Sequence, residues 1–196
     1  MSTTPETLPP LARRSDAAYL DFVEGLREFI LGKGADFEER LNSALEQSAS
    51  SRGRPWGDVE EIREFVHASP LGRLRDRLAR SQQEMKWHAI ERSFDEQRAQ
   101  LTAELSKWDE RGPGRLLLDP AFEHPTYTNV HFHLQPAGYY KDELSGFLYH
   151  YGTKVFFRGD NDKDELHAKL VGTVPAPSDG KANRILDLAC SIGQSS

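Results

Sequence analysis

From Ser15 onward, apolar residues recur at helical spacing. Tyr19, Leu20, Phe22, Val23, Leu26, Phe29 and Ile30 draw one stripe, with Ser15-Asp16 as N-cap candidates and Gly32 and Gly34 as its stop. Asp36 with Glu39 three residues on makes a capping-box-like pair for a second helix that buries Phe37, Leu41, Ala44 and Leu45. The polar, Gly/Pro-punctuated stretch 48–57 reads as a loop. Asp58 with Glu61 repeats the capping signature, and Ile62, Phe65 and Val66 follow on one face. Ser69-Pro70 then joins a capping hydroxyl to a proline at the first helical position.

The run from there to Gly112-Pro113 carries two apolar seams. Leu71, Leu74, Leu78 and Met85 form the first; Trp87, Ile90, Phe94, Leu101, Leu105 and Trp108 form the second, offset by two residues. One continuous helix of that length would span about 60 Å; the alternative is that the offset near Met85–Trp87 marks a kink or a hairpin. Nine basic and eight acidic residues between Leu71 and Arg111 describe a charge-balanced, solvated face, not a nucleic-acid surface. A dimerising coiled coil is one way to cover such a seam.

After Gly112-Pro113-Gly114 the grammar changes. Leu116–Leu118 is a short apolar run ended by Asp119-Pro120. Tyr127–Leu134 alternates with period two, Val130, Phe132 and Leu134 against Asn129, His131 and His133, as a strand or extended segment would. A turn at 135–138, a short aromatic helix over Asp142–Tyr151 stopped by Gly152, and a helix through Leu166 and Leu170 capped by Asn161 or Asp162 complete this region. Residues 175–180 form a linker, and no internal repeat is found.

Composition adds exclusions. The 196 residues carry net charge −6, so phosphate neutralisation by surplus lysine and arginine is not available for non-specific nucleic-acid binding. No stretch approaches the roughly 20 apolar residues of a membrane span, and the first thirty residues lack a secretory-signal pattern. The single cysteine, Cys190, rules out an internal disulfide and fits a cytoplasmic protein.

The sharpest signal is terminal. Arg184-Ile185-Leu186-Asp187-Leu188 reads as a buried strand, and Ala189, Ser191 and Gly193 as a turn slight enough for backbone to approach a ligand. A helix starting near Gly193 would aim its amides at that ligand. A carboxylate inside an apolar strand is costly to bury unpaired, so Asp187 is better explained as facing a ligand. Dinucleotide enzymes want glycine where Ala189 and Ser191 stand, and fit less well.

ILDLACSIGQSS resembles the first motif of class I S-adenosylmethionine-dependent methyltransferases. Asp187 matches the acidic position, and Ala189, Ser191 and Gly193 match the three positions that are usually glycine. The resemblance implies an α/β, Rossmann-like fold with an N-terminal helical extension, S-adenosyl-L-methionine as cofactor, and a turn that wraps the methionine part of it. It also implies further strands beyond the motif. The expectation is therefore the N-terminal portion of a longer methyltransferase, with this chain inactive on its own. The organisation expected is an arm without order at 1–14, a helical region at 15–112, a mixed cap at 113–180 and the start of the catalytic domain at 181–196.

Other constellations weigh less. His131 and His133 would share a strand face as metal ligands do, but no third ligand stands at suitable spacing, so no metal is assigned. His133, Tyr139 and Tyr140 are candidates for a lid over the cofactor or acceptor pocket, since aromatic hydroxyls suit a half-polar ligand. Cys190 reads as a small packed residue, Trp56, Trp87 and Trp108 as packing anchors, and 160–162 as a helix cap, not a calcium loop. The acceptor expected is a small molecule, with neither nucleic acid nor membrane as partner. The competing reading is a non-catalytic helical protein that interacts or dimerises through the helical region.

Overall fold

A computed structural model describes residues 9–32, 34–111, 115, 117–136, 138, 141–157, 161, 163–181, 184–188 and 192. Among them are α1 (Arg14–Leu31), α2 (Phe37–Arg52), α3 (Val59–Ala68), α4 (Pro70–Asp95), α5 (Arg98–Arg111), α6 (Ser145–Phe157) and α7 (Glu165–Val171), with short 3-10 turns at Thr126–Asn129 and Phe132–Leu134. The chain is mostly helical, with no strand among the described residues. No helix among them is long and apolar enough to cross a membrane. Two compact units divide the chain inside α4: Arg14–Ala89, and the residues from Ile90 onward together with the arm ending at Arg13.

In the Arg14–Ala89 unit, Leu20, Val23 and Ile30 of α1 are buried with Phe37 and Leu41 of α2 and Trp87 of α4. These α1 positions follow a spacing of three, then seven, which is one narrow line down a helix. The sequence stripe was wider than one helix face can bury. Tyr19, Phe22 and Phe29 accordingly stay exposed on the flank. The Asp58 carboxylate accepts the Glu61 amide at 2.9 Å and caps α3 as its sequence implies. Ser69 Oγ likewise accepts the Gly72 amide at 2.9 Å. Gly72 sits so close to the Val66 carbonyl that a Cβ there would lie 2.0 Å from its oxygen, so only glycine fits that junction. Asp36 corrects the expectation for α2. Its backbone is left-handed (φ 49°) and its side chain makes no capping bond, so the Asp36/Glu39 box does not form.

Glu61 gathers the loop before α3. It takes Arg54 Nη2 at 2.6 Å, the Gly57 amide at 2.8 Å and a further bond from Arg52, whose guanidinium also lies 4.3 Å over the Trp56 ring. Those donors, Arg54 first, hold its carboxyl down to about 2. Trp56 in turn packs 5.0 Å from Phe65 and donates Nε1–H to the Leu45 carbonyl at 3.2 Å, joining the loop to α2 and α3.

The offset between the two apolar seams marks neither a kink nor a hairpin at Met85–Trp87. α4 runs through it to Asp95, and the chain turns at Glu96-Gln97. The unit boundary at Ala89/Ile90 falls inside the second seam, with Trp87 in one unit and Ile90, Phe94 and Leu101 in the other.

The second unit is centred on Phe94, which is fully buried. Its ring stacks on Phe147 at 5.9 Å and meets Tyr151 edge-on at 5.8 Å. Ile90, Leu101, Leu144, Leu148 and Val155 complete that core. A fork from Arg98 to Asp142, at 2.9 and 2.6 Å, fixes the start of α6 to α5. Asp142 also accepts the Leu144 amide at 2.7 Å, and the Arg98 guanidinium holds its carboxyl below the usual range. Part of the arm is ordered, against expectation: the Ala12 amide donates to Ser93 Oγ at 2.7 Å, Gln97 Nε2 to the Pro10 carbonyl at 3.1 Å, and Arg13 pairs with Glu96 at 2.8 Å. Residues 1–8 lie outside the described residues.

Two further expectations are corrected here. Tyr127–Leu134 forms 3-10 turns instead of a strand, with His133 and Leu134 at positive φ (52° and 62°) and Val130 exposed. The helix from 145 does not stop at Gly152, which is buried in its interior, but continues to Phe157. Of the two cap candidates for α7, Asn161 serves it: its Oδ1 accepts the Leu166 amide at 2.8 Å, while Asp164 at the N-cap position makes no side-chain capping bond.

Candidate functional site

The terminal segment reaches the description at 184–188 and at Ile192. Residues 184–187 have no regular secondary structure, so the strand expected at Arg184–Leu188 is not formed there, and Asp187 is exposed. Ile185, Leu186 and Leu188 are 86, 79 and 78% exposed. A buried parallel strand gains its pairing from neighbouring strands, and no strand is present among the described residues. Ala189, Cys190, Ser191 and Gly193 lie outside the described residues, as do Tyr139 and Tyr140 of the candidate lid.

One contact places this segment relative to α6. A Cβ on Gly146 would meet Ile192 Cγ2 at 3.8 Å, an ordinary van der Waals distance, so Ile192 lies beside the first turn of that helix. The next residue back is Ser145, and packed against it is Gln135. Gln135 is completely buried; its Nε2 donates to the Gly138 carbonyl at 2.7 Å and, more weakly, toward the Ser145 carbonyl at 3.4 Å. Gln135 Oε1 and Ser145 Oγ are shut off from solvent and have no hydrogen-bond partner among the described residues. Gly138 makes the turn possible at φ 61°. Of the lid candidates, His133 is exposed two residues upstream.

Sequence reasoning passed over both Gln135 and Ser145. A glutamine before a proline turn and a serine at a helix start read as solvated residues, and nothing local in the chain signals their burial.

His131 and His133 occupy turns, so strand alternation no longer sets them on one face. Among the described residues no group of three His, Cys, Asp or Glu side chains could hold a metal ion. His150 lies apart, with Nε2 3.5 Å from Asp164 Oδ1, which Lys154 Nζ approaches to 3.8 Å. Burial, then the Lys154 charge, push its pKa down, so the ring is neutral at pH 7. In the Arg14–Ala89 unit an open cavity of about 520 Å³ is lined by Asp36, Glu38, Glu39 and Glu46 among others. No basic side chain is among its described lining residues.

Compared with protein-family models, curated proteins and solved structures, the chain matches none at a significant level.

Proposed function

We propose that this chain carries the helical extension and the first cofactor-binding turn of a class I S-adenosylmethionine-dependent methyltransferase that acts on a small-molecule acceptor. The observation that carries the reading is the order of residues from Ile185 to Gly193: an apolar run interrupted by Asp187, then Ala189, Ser191 and Gly193 at alternate positions. Small side chains there let backbone amides close on a ligand, and Asp187 supplies a carboxylate toward it. The cofactor, when bound, supplies a methyl group on a cationic sulfonium. Asp187 and the turn would hold and orient it, and alignment against the acceptor contributes much of the rate in such a reaction.

The exposure of Ile185, Leu186 and Leu188 supports the same reading. Burying each of these side chains in a sheet would stabilise it by about 1.5–3 kcal/mol, which gives the segment a strong tendency to add to one. The proposed fold is accordingly α/β and Rossmann-like around that segment. The test uses the protein expressed from its full coding frame in equilibrium dialysis against radiolabelled S-adenosylmethionine. Saturable binding by the wild type and a loss of at least about tenfold in Asp187→Ala are expected, since a carboxylate hydrogen bond is worth about 1.5–3 kcal/mol. Equal binding by both proteins would remove Asp187 from the cradle.

A second reading, a non-catalytic helical protein that dimerises, is favoured by one observation. Tyr19, Phe22 and Phe29 form an exposed aromatic flank on α1. If that flank is a dimer seam, light scattering gives twice the monomer mass and Phe22→Glu restores the monomer. A monomeric wild type at high micromolar concentration removes this reading.

A further inference from the structure

We propose that α1 pairs antiparallel with α1 of a second copy of this chain, Phe22 of each entering the gap at Gly25 of the other. The proposal rests on the dimer reading of the α1 flank above and adds to it the direction and fit of the partner; it is independent of the cofactor reading.

The exposed flank of α1 alternates large and small. Ala18, Phe22, Gly25 and Phe29 are all exposed and step by four, three and four residues, the spacing of a seam between two helices. Leu20, Val23 and Ile30, which the unit buries, follow a different line of the helix. The rings are held ready. Phe22 lies 6.3 Å from Tyr19, and Phe29 rests on the Gly34 backbone, where an added Cβ would come within 2.6 Å of its Cδ2. Gly25 is the informative position. Glycine inside a helix destabilises it relative to alanine, so its presence there calls for a packing reason. No described atom beyond its helical neighbours lies within 4 Å of the Cβ that Gly25 lacks, so the chain's own fold supplies none. A side chain arriving from outside does.

Size selects both the partner and its direction. Knobs and gaps share one strip, so a second copy related by a twofold axis gives each its complement. With the axis level with Val23 and Glu24, the antiparallel pairing sets Phe22 on the partner's Gly25 and Phe29 on the partner's Ala18. A parallel pairing would stack Phe22 on the partner's Phe22 and leave a void between the two Gly25 positions. The antiparallel pairing also brings Asp21 beside the partner's Glu28. That repulsion lies between exposed carboxylates and is screened by salt, whereas a void is not. Tyr19, Phe22 and Phe29 are 38, 58 and 50% exposed, which offers about 300 Å² per copy at about 200 Å² a ring. The pair then buries about 600 Å² of ring surface, half the lower bound of a stable interface, so the dimer is reversible with a Kd of about 10–100 µM.

The test is sedimentation of the full-length protein from low to high micromolar concentration, where the wild type is expected to pass from one chain mass to two. Gly25→Leu fills the gap and touches nothing in the monomer. Its dimerisation should weaken at least about tenfold, while its melting temperature at low concentration holds or rises. Leucine also adds apolar surface. Unchanged or tighter dimerisation in Gly25→Leu therefore means association without a fitted gap, which overturns the seam and leaves the dimer reading standing. Direction is read separately from the distance between spin labels at Arg14→Cys, exposed at the start of α1, in a Cys190→Ser background. Antiparallel helices set the two labels about 30 Å apart. A distance under about 20 Å is that of parallel helices and overturns the proposal. A wild type that stays monomeric at high micromolar concentration overturns the seam and the dimer reading together.

Discussion

Replacing Phe94 with alanine should destabilise the unit from Ile90 onward by about 3–5 kcal/mol, the range for a buried phenylalanine cut to a methyl group. Phe94 is the largest side chain in that unit with no exposed surface, and its ring is held on two sides by Phe147 and Tyr151 of α6. Removing it deletes the ring contacts to Phe147 and Tyr151 and leaves a cavity in the core. Since a domain of this size is stable by about 5–15 kcal/mol, that loss is a large fraction of the total. Urea denaturation followed by circular dichroism measures it. Phe94→Leu, which keeps most of the volume, should lose less than half as much. A loss under about 1 kcal/mol for the alanine variant would mean that Phe94 is not the centre of this core.

Lys86 gives the second large effect, and its sign is set by burial. The side chain is 3% exposed, lies with Nζ 4.1 Å from the Trp87 ring centroid, and has no ion pair among the described residues. Desolvation, assisted by the Arg27 charge, lowers its pKa from 10.5 to about 8. Below about pH 8 the lysine is charged in both the folded and the unfolded chain, and the folded state carries the cost of the buried charge. Between about 8 and 10.5 the unfolded chain binds more protons, so stability rises with pH by up to ~3 kcal/mol. Lys86→Met keeps the stem, removes the charge and should gain stability at pH 7 while abolishing this rise. The measurement is the difference in unfolding free energy between wild type and Lys86→Met at pH 7 and pH 10, which cancels the titration of other groups. A difference that stays constant with pH would place the Lys86 ammonium in water.

What was legible in the chain was what depends on neighbours in sequence. Asp58 with Glu61, and Ser69 before Pro70, cap their helices as written because the capping oxygen and the amide it serves are three residues apart. Asp36 shows the limit: the same residue types make no cap where the N-cap backbone is left-handed (φ 49°). The period-two run at 127–134 failed for a different reason. Alternation specifies a strand only where a partner strand takes up its hydrogen bonds, and here the chain bonds to itself in tight turns. The second apolar seam located Ile90, Phe94 and Leu101 correctly, yet Tyr19, Phe22 and Phe29 were counted with a core that does not reach them.

The candidate site divides in the same way. Asp187 and the small residues after it are a local pattern and could be read directly. Gln135 and Ser145 become notable only through burial and the absence of a partner for one atom of each, which are properties of the packed chain.

The central claim is that residues 187–193 cradle S-adenosylmethionine. It is tested most directly by amide chemical shifts of the isotope-labelled full-length protein titrated with S-adenosylhomocysteine. Saturable shifts at the amides of Leu188 to Gly193, with the largest among Ser191, Ile192 and Gly193, are the predicted result. A properly folded protein whose resonances in that segment do not move at millimolar ligand would contradict it.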